Sequence, residues 1–367
     1  MREKVIHFMD YKAPYKGNFV NSIMFLDDEL RKKDKEIIYI FPKATADMKW
    51  IKEIKDNGSQ IYFLSDKFLK DIRLIRKVMK KELINIVHIH FANYKYIAMF
   101  KLARGFKKNM KFITHVHNHY KSKKNVIFEK IMRAVKSTDL YIGVSNSVAD
   151  DMIQKGFDKR NVVAVPNAIE FKRLDKYTII NKKDMDISSK KTLLMFGFDY
   201  YRKGVDMVIK AIKDIHEEYD ITLMISLSTN RNNVESRIIE EVGEIPSWVK
   251  IVDARDDIAT YYNFADVFIS ASREEGFCYA AVEAAYCKSL LIASDIPGQN
   301  SLKIPYTIQY SSNDIDDLKK SIIESLSIPE KKVSEIKEKQ RQFVMEEYNL
   351  KKWSSKIINL YEERIMF

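Results

Sequence analysis

The chain has 367 residues, too many for one ordinary core and suited to two domains of common size. Hydrophobic residues make up 46% and charged residues 31%, which excludes a disordered chain, and no apolar stretch reaches the roughly 20 residues of a membrane-spanning helix. The formal net charge of +12 draws anions (nucleic acid, anionic head groups or phosphorylated substrates) or records a lysine-rich solvated surface, and by itself selects none of these.

In chain order, the first half gives short apolar runs at residues 5–9, 36–42, 60–65, 84–91, 111–118, 140–145 and 162–169, with amphipathic stretches such as 19–34 and 126–135 between them. Short buried runs alternating with helical periodicity predict parallel strands joined by crossovers. The N-terminus runs into the first strand without the apolar core of a signal peptide. The two cysteines, Cys278 and Cys287, form no CxxC pair, so a reducing cytoplasm fits. Residues 66–81 read as a basic amphipathic helix, and 101–124 adds cations with no acidic residue. Both suit an anionic membrane surface, and equally an ordinary solvated face.

Five of the seven histidines fall on two successive strands, His88 and His90 on one and His115, His117 and His119 on the next. Spacing by two puts each set on one face of its strand. A zinc site is chemically open to them, but no helical HExxH accompanies them, and core histidines satisfied by neighbouring backbone are the usual outcome. No metal is expected.

Residues 171–191, rich in Lys and Asp, read as a connection between two domains. A second series of runs follows at 192–198, 221–227, 249–254, 266–272 and 290–295, and from about 311 the pattern is helical. The expected division is a first Rossmann-like domain over 1–170, the linker, a second over 192–348, and a terminal helix over 349–367. That helix carries Trp353, Ile357, Ile358, Leu360 and Tyr361, an apolar face that needs a partner such as the first domain. The fold class is α/β, with two Rossmann-like domains facing across a cleft and ligands at the carboxyl ends of the strands.

The most informative segment is Ser272-Arg273-Glu274-Glu275-Gly276-Phe277-Cys278-Tyr279-Ala280-Ala281-Val282-Glu283-Ala284-Ala285. It follows a buried strand and opens an alanine-rich helix, with Glu275 in the loop and Glu283 about two turns into the helix. Unpaired N–H groups at that helix start suit a phosphate. A carboxylate there can accept hydrogen bonds from both hydroxyls of a ribose.

This frame, E-x7-E within S-x-x-E-G-F…E-A, resembles the retaining glycosyltransferases of group 1, also called family 4, whose fold is GT-B. The resemblance extends to Ala293-Ser294-Asp295-Ile296-Pro297-Gly298. It implies that Glu275 contacts donor-sugar hydroxyls, that Glu283 holds the ribose, and that Gly276, Phe277 and Cys278 line the donor site. Lys203, in the run ending Arg202-Lys203-Gly204, matches the family lysine expected at the diphosphate, with Arg202 as helper; fixed cations stabilise a departing diphosphate. Phe198 stands where the family has arginine. Residues 252–258 resemble the loop that reads the base.

In the first half, the resemblance gives His117 a place beside the donor sugar, with His115 as the register alternative. A neutral imidazole there can hydrogen-bond a sugar hydroxyl and steady an oxocarbenium-like transition state. Gly17 and Asn18 occupy the place of an acceptor loop, with one glycine where the family has several. Gly143-Val144-Ser145-Asn146-Ser147 and Val165-Pro166-Asn167-Ala168-Ile169 read as architecture. Asp184-Met185-Asp186 matches a metal-binding DxD but lies in the linker, and is set aside.

The expected activity is a hexosyl-type, retaining, metal-independent transfer without a cofactor. It runs from a nucleotide-sugar donor, UDP-sugar first, to a glycan or lipid-linked acceptor in cell-surface polysaccharide or glycolipid synthesis. A cytoplasmic chain peripheral on the inner membrane face is expected. The alternative is a weakened nucleotide-sugar-binding paralogue that serves a partner protein. Nucleic acid is not expected, since neither a base-stacking signature nor a recognition helix occurs. A dehydrogenase is disfavoured because no GxGxxG follows the first strand of either half.

Overall fold

The computed structural model describes residues 3–13, 15–82, 84–91, 94–105, 110–119 and 138–365. The amphipathic stretch expected at 126–135, and the 106–109 and 120–124 parts of the basic run, lie outside the described residues. The chain forms two compact units, one of Met1–Ala168 with Leu350–Phe367 and one of Ile169–Asn349.

The first unit runs β1 (Glu3–Met9), α1 (Gly17–Arg31), β2 (Lys35–Pro42), α2 (Lys49–Asp56), β3 (Gln60–Leu64), α3 (Phe68–Lys81), β4 (Ile84–His90), α4 (Tyr94–Arg104), β5 (Lys111–Val116), β6 (Leu140–Gly143), α5 (Asn146–Gln154) and β7 (Val162–Ala164). Its seven strands lie in the order β3-β2-β1-β4-β5-β6-β7, with every pairing parallel. Alternate residues of β1 serve opposite faces, as the pleat requires. Ile6 and Phe8 join a core with Ile75 and Met79 of α3 and Ile97 and Phe100 of α4. Val5 and Met9 join the other core, with Phe19 and Leu26 of α1 and Trp50 of α2.

The second unit runs α6 (Phe171–Leu174), β8 (Lys191–Phe196), α7 (Val205–Lys213), β9 (Ile221–Leu227), α8 (Arg231–Val242), β10 (Val249–Asp253), α9 (Ala259–Phe264), β11 (Val267–Ser270), α10 (Tyr279–Tyr286), β12 (Leu290–Ser294), α11 (Pro297–Asn300), β13 (Ile308–Tyr310), α12 (Ile315–Ser327) and α13 (Glu330–Glu347). Its sheet order is β10-β9-β8-β11-β12-β13, again all parallel. The final helix, α14 (Leu350–Ile365), belongs to the first unit. There Trp353, Ile357, Ile358 and Tyr361 enter the core shared by α1 and α2.

Two differences from expectation stand out. β13 is unexpected: only three residues long, it buries Ile308 and Tyr310 around exposed Gln309, too short a run to read as a strand. The expected linker 171–191 is part of the second unit, where α6 and the turn after it pack by hydrogen bonds such as Thr178 N–H to Thr260 Oγ1 at 2.9 Å. The DxD in it closes a turn: Asn181 and Asp184 exchange two 3.0 Å hydrogen bonds, and Asp186 pairs with Lys250 at 3.4 Å.

Each strand order reverses once, between β1 and β4 in the first sheet and between β8 and β11 in the second. In open parallel sheets ligands bind outside the carboxyl ends of the strands at such a reversal. The charged and imidazole residues singled out by sequence fall at these two places.

Candidate active site

In the second unit, the loops leaving β8 and β11 are locked together. Gly204 has φ +70°, and a Cβ there would lie 2.2 Å from the carbonyl oxygen of Ala271, so only glycine lets the first loop cross the end of β11. Arg273 N–H donates to Arg202 O at 2.8 Å, and the Arg273 guanidinium makes a bidentate pair with Asp206 at 2.7 and 2.8 Å. Arg273 also donates to Tyr201 O and, at 2.8 Å, to Asn313. Sequence reasoning missed Arg273, because its partners come from elements 40 to 72 residues away.

Lys203 is thereby delivered to Glu275, its Nζ 2.5 Å from Oε1. The same oxygen accepts from Ser272 Oγ at 2.9 Å and lies 3.6 Å from Arg202 Nη1. Arg202 is oriented by Asp199 at 3.0 Å. Phe198 carries no charge, but its ring lies under both cations, 5.1 Å from Lys203 Nζ and 5.3 Å from the Arg202 guanidinium. The loop holding Glu275 is backed by Gly298, where a Cβ would sit 1.9 Å from Glu275 O. Buried Ser294 and Gln299 hold it too, donating to Ser272 O at 2.6 Å and Ser270 O at 2.9 Å.

Glu283 lies little more than one turn into α10 rather than two, since the helix begins only at Tyr279. It is 6% exposed and accepts from Tyr262 Oη at 3.0 Å and from the Arg173 guanidinium. Burial first, then the Glu283 carboxylate, pushes the Tyr262 hydroxyl far above its ordinary range, so it remains a donor. Lys203, Arg202 and Glu275 therefore meet in one charged group, while Glu283 is fixed by partners of its own. Phe277 and Cys278 turn inward: Phe277 packs on Tyr279 and Tyr348, and the Cys278 thiol lies 3.3 Å from Ser270 Oγ. The base-loop candidate is internally braced, with Arg255 bidentate to Asp257 at 2.7 and 2.9 Å and Thr178 and Thr260 each donating to that carboxylate. An open depression of about 710 Å³ is lined by Phe198 and Asp199 of the loop after β8, but none of Lys203, Glu275 or Glu283 lines it.

In the first unit, His88 and His90 sit together on β4 as expected, but β5 ends at Val116, so His117 and His119 lie beyond the strand rather than on it, and a further histidine joins the group. His7 on β1 pairs in register with His88 on β4, and His90 with His115 on β5. The rings of His88 and His90 are 4.2 Å apart, and those of His115 and His117 4.9 Å. His7 escapes a sequence reading because only the parallel pairing of β1 with β4 brings it there. His117, just beyond β5, stacks on Phe91 at 3.7 Å and meets the edge of Phe19 at 5.2 Å. Gly17 (φ +56°) and buried Asn18 open the same helix as Phe19. Gly143 lets α5 start tightly, since a Cβ there would lie 2.8 Å from Ala149 N, and Ser145 caps that helix.

Two parallel α/β units, each with its polar residues at the strand-order reversal, define the GT-B class of fold. The chain belongs to the glycosyltransferases of group 1. The family model for "Glycosyl transferases group 1" matches residues 178–343, and that for "Glycosyltransferase Family 4" matches 31–173. Among solved structures, a glycosyltransferase from Rickettsia africae is similar over 99% of both chains at 20% identity, with a TM-score of 0.83. Anabaena Alr3699/HepE in complex with UDP is similar over 99% of this chain and 100% of its own at 12% identity, TM-score 0.80. Among curated proteins, a phosphatidylinositol N-acetylglucosaminyltransferase subunit of Arabidopsis thaliana is 19% identical over 341 residues, covering 89% of this chain and 74% of that protein. Its Homo sapiens counterpart is 23% identical over 317 residues, 79% of this chain, and the chain spans 61% of its length.

Proposed function

We propose that the chain transfers a hexosyl-type sugar, with retention, from a UDP-sugar to a glycan or lipid-linked acceptor in cell-surface polysaccharide or glycolipid synthesis. The observation that carries this is the charged group of Lys203, Arg202 and Glu275 at the β8/β11 reversal. Two fixed cations there can take up the charge of a departing diphosphate without reorganisation and without a metal at that position. Arg202 fills the role of the arginine that Phe198 replaces, and the Phe198 ring holds both cations over its face. In this reading Glu275 contacts sugar hydroxyls, Glu283 the ribose, and backbone N–H groups at the start of α10 the phosphate, with Gly276, Phe277 and Cys278 shaping the site. His117 hydrogen-bonds a sugar hydroxyl, and Gly17 and Asn18 help shape the acceptor site.

UDP as the donor nucleotide is supported by the HepE likeness. A lipid-linked acceptor is supported by the likeness to phosphatidylinositol N-acetylglucosaminyltransferase components. Peripheral attachment on the inner membrane face is supported by α3, whose Arg73, Arg76, Lys77, Lys80 and Lys81 line a depression of about 450 Å³, with Phe68 and Leu69 exposed on the same helix. No helix among the described residues is long and apolar enough to cross a membrane.

The test is nucleotide release from a panel of UDP- and GDP-sugars, compared with Glu275→Ala. Release from a UDP-sugar that the variant loses supports transfer. The Phe198 replacement favours a second reading, a weakened nucleotide-sugar-binding protein that works through a partner; saturable donor binding with no turnover for any acceptor supports that reading instead.

A further inference from the structure

We propose that His90, His115 and His117 form a tri-imidazole site for a divalent transition metal, with zinc the first choice, and that His7 and Tyr361 support it from behind. Imidazole nitrogen is an ordinary ligand for zinc, and three protein ligands with an open fourth position is a common zinc arrangement. One nitrogen from each of the three rings lies within 4.8 Å of the others.

Several nitrogens of these three rings are unclaimed among the described residues. His115 is 2% exposed, and neither of its ring nitrogens has a hydrogen-bond partner among the described residues; the same holds for His90 Nδ1 and His117 Nε2. Buried polar groups are normally paired, so three rings with unclaimed nitrogens turned together on adjacent strands point to a shared ligand.

What lies behind the three rings is equally specific. His90 Nε2 is 3.1 Å from His7 Nδ1, His7 Nε2 is 3.0 Å from Tyr361 Oη, and that hydroxyl also meets His88 Nδ1 at 2.6 Å. A metal-bound histidine characteristically uses its second nitrogen in such a hydrogen bond, which fixes its tautomer and orientation. The chain His90–His7–Tyr361–His88 supplies it. By contrast, in the other convergent trio, His7, His88 and His90, four of the six ring nitrogens are committed to this chain. Tetrahedral bonds of about 2.0–2.1 Å place ligand nitrogens roughly 3.4 Å apart. Metal binding at this trio therefore requires the rings to close to that spacing, and χ2 of histidine is a soft torsion. His117 serves here as a metal ligand in place of the sugar contact given to it in the proposed transfer, so metal binding is measured by itself and the transfer reading is judged at Glu275 in the second unit.

The experiment uses the full chain without a polyhistidine tag. Metal content is measured by mass spectrometry after dialysis, and the chelator-stripped protein is titrated with Zn²⁺ by calorimetry and with Co²⁺ by visible absorption. The expected result is saturable binding of one ion per chain, Co²⁺ bands typical of low coordination number, and loss of both in His115→Ala. His216→Ala, in the second unit, should bind as the unchanged chain does. His7→Gln should weaken binding about 10- to 100-fold, as loss of a supporting hydrogen bond to a ligand does. Should His115→Ala fail to fold, the titration of the unchanged chain decides alone. Absence of saturable binding, or binding that survives intact in a folded His115→Ala, overturns the proposal.

Discussion

At the scale of single residues, one carboxylate oxygen, Glu275 Oε1, gathers Lys203, Ser272 and Arg202 around it. Replacing that carboxylate by the amide in Glu275→Gln should lower kcat by about 100-fold or more while leaving the thermal midpoint within a few degrees. Steady-state nucleotide release alongside calorimetry checks both. Glu275, Lys203 and Arg202 are legible in the sequence because their loops, each following a buried strand, resemble contiguous motifs of the family. Arg173 is not, because its partner Glu283 lies 110 residues away and no periodicity links them. Arg173→Ala leaves a carboxylate that is nearly buried without its cation, and such changes cost about 3 kcal/mol. Denaturant unfolding should show that loss, and Glu283→Gln in the same background should recover part of it. Asp257 is held well below the usual carboxylate range, chiefly by its hydrogen bond to Arg255. A depressed carboxyl stabilises the fold above its unfolded value of 3.8, and the contribution fades as pH falls through the folded value. The difference in thermal midpoint between the unchanged chain and Asp257→Asn should therefore be flat above about pH 5 and shrink below pH 4.

At the scale of elements, strands of five residues or more are readable as apolar runs, and their observed ends lie within two residues of the expected ones. β7 differs more, ending at Ala164 where the run continues to 169, because Val165–Ile169 is apolar but not paired as a strand. Elements shaped by what they pack against are harder to read. α10 starts late because its loop must first seat Phe277 and Cys278 in the core. Glycines at close approaches set how accurately the loops meet. Gly298→Ala would drive a methyl into the Glu275 carbonyl, shifting the loop rather than unfolding the unit. Displacements near 1 Å at a reacting site cost about 100-fold in rate. The expected signature is a large fall in kcat with a small change in stability. Gly204→Ala combines a left-handed backbone with overlap on Ala271 O and should cost stability as well, about 2 kcal/mol or more by denaturant titration.

At the scale of the whole molecule, two Rossmann-like units are legible in the sequence, and the apolar stripe of α14 calls for a partner such as the first domain without naming the residues it meets. The structure places that helix in the first unit, where Tyr361 reaches the histidines of β1 and β4 and Trp353 and Ile357 complete the core. Ending the chain at Asn349 should therefore leave the second unit folded and expose the first. The measurable outcome is a dye-binding, protease-sensitive product in which fragments of 1–168 disappear before those of 169–349.

Since ribosomes deliver polypeptide from one end, the unit begun first is the one finished last. Its interior waits for the eighteen residues from 350 to 367 while the intervening 181 can already settle by themselves. Anything that stalls translation within those eighteen residues thus strands a nascent chain whose later half is native and whose earlier half still shows an oily flank to chaperones.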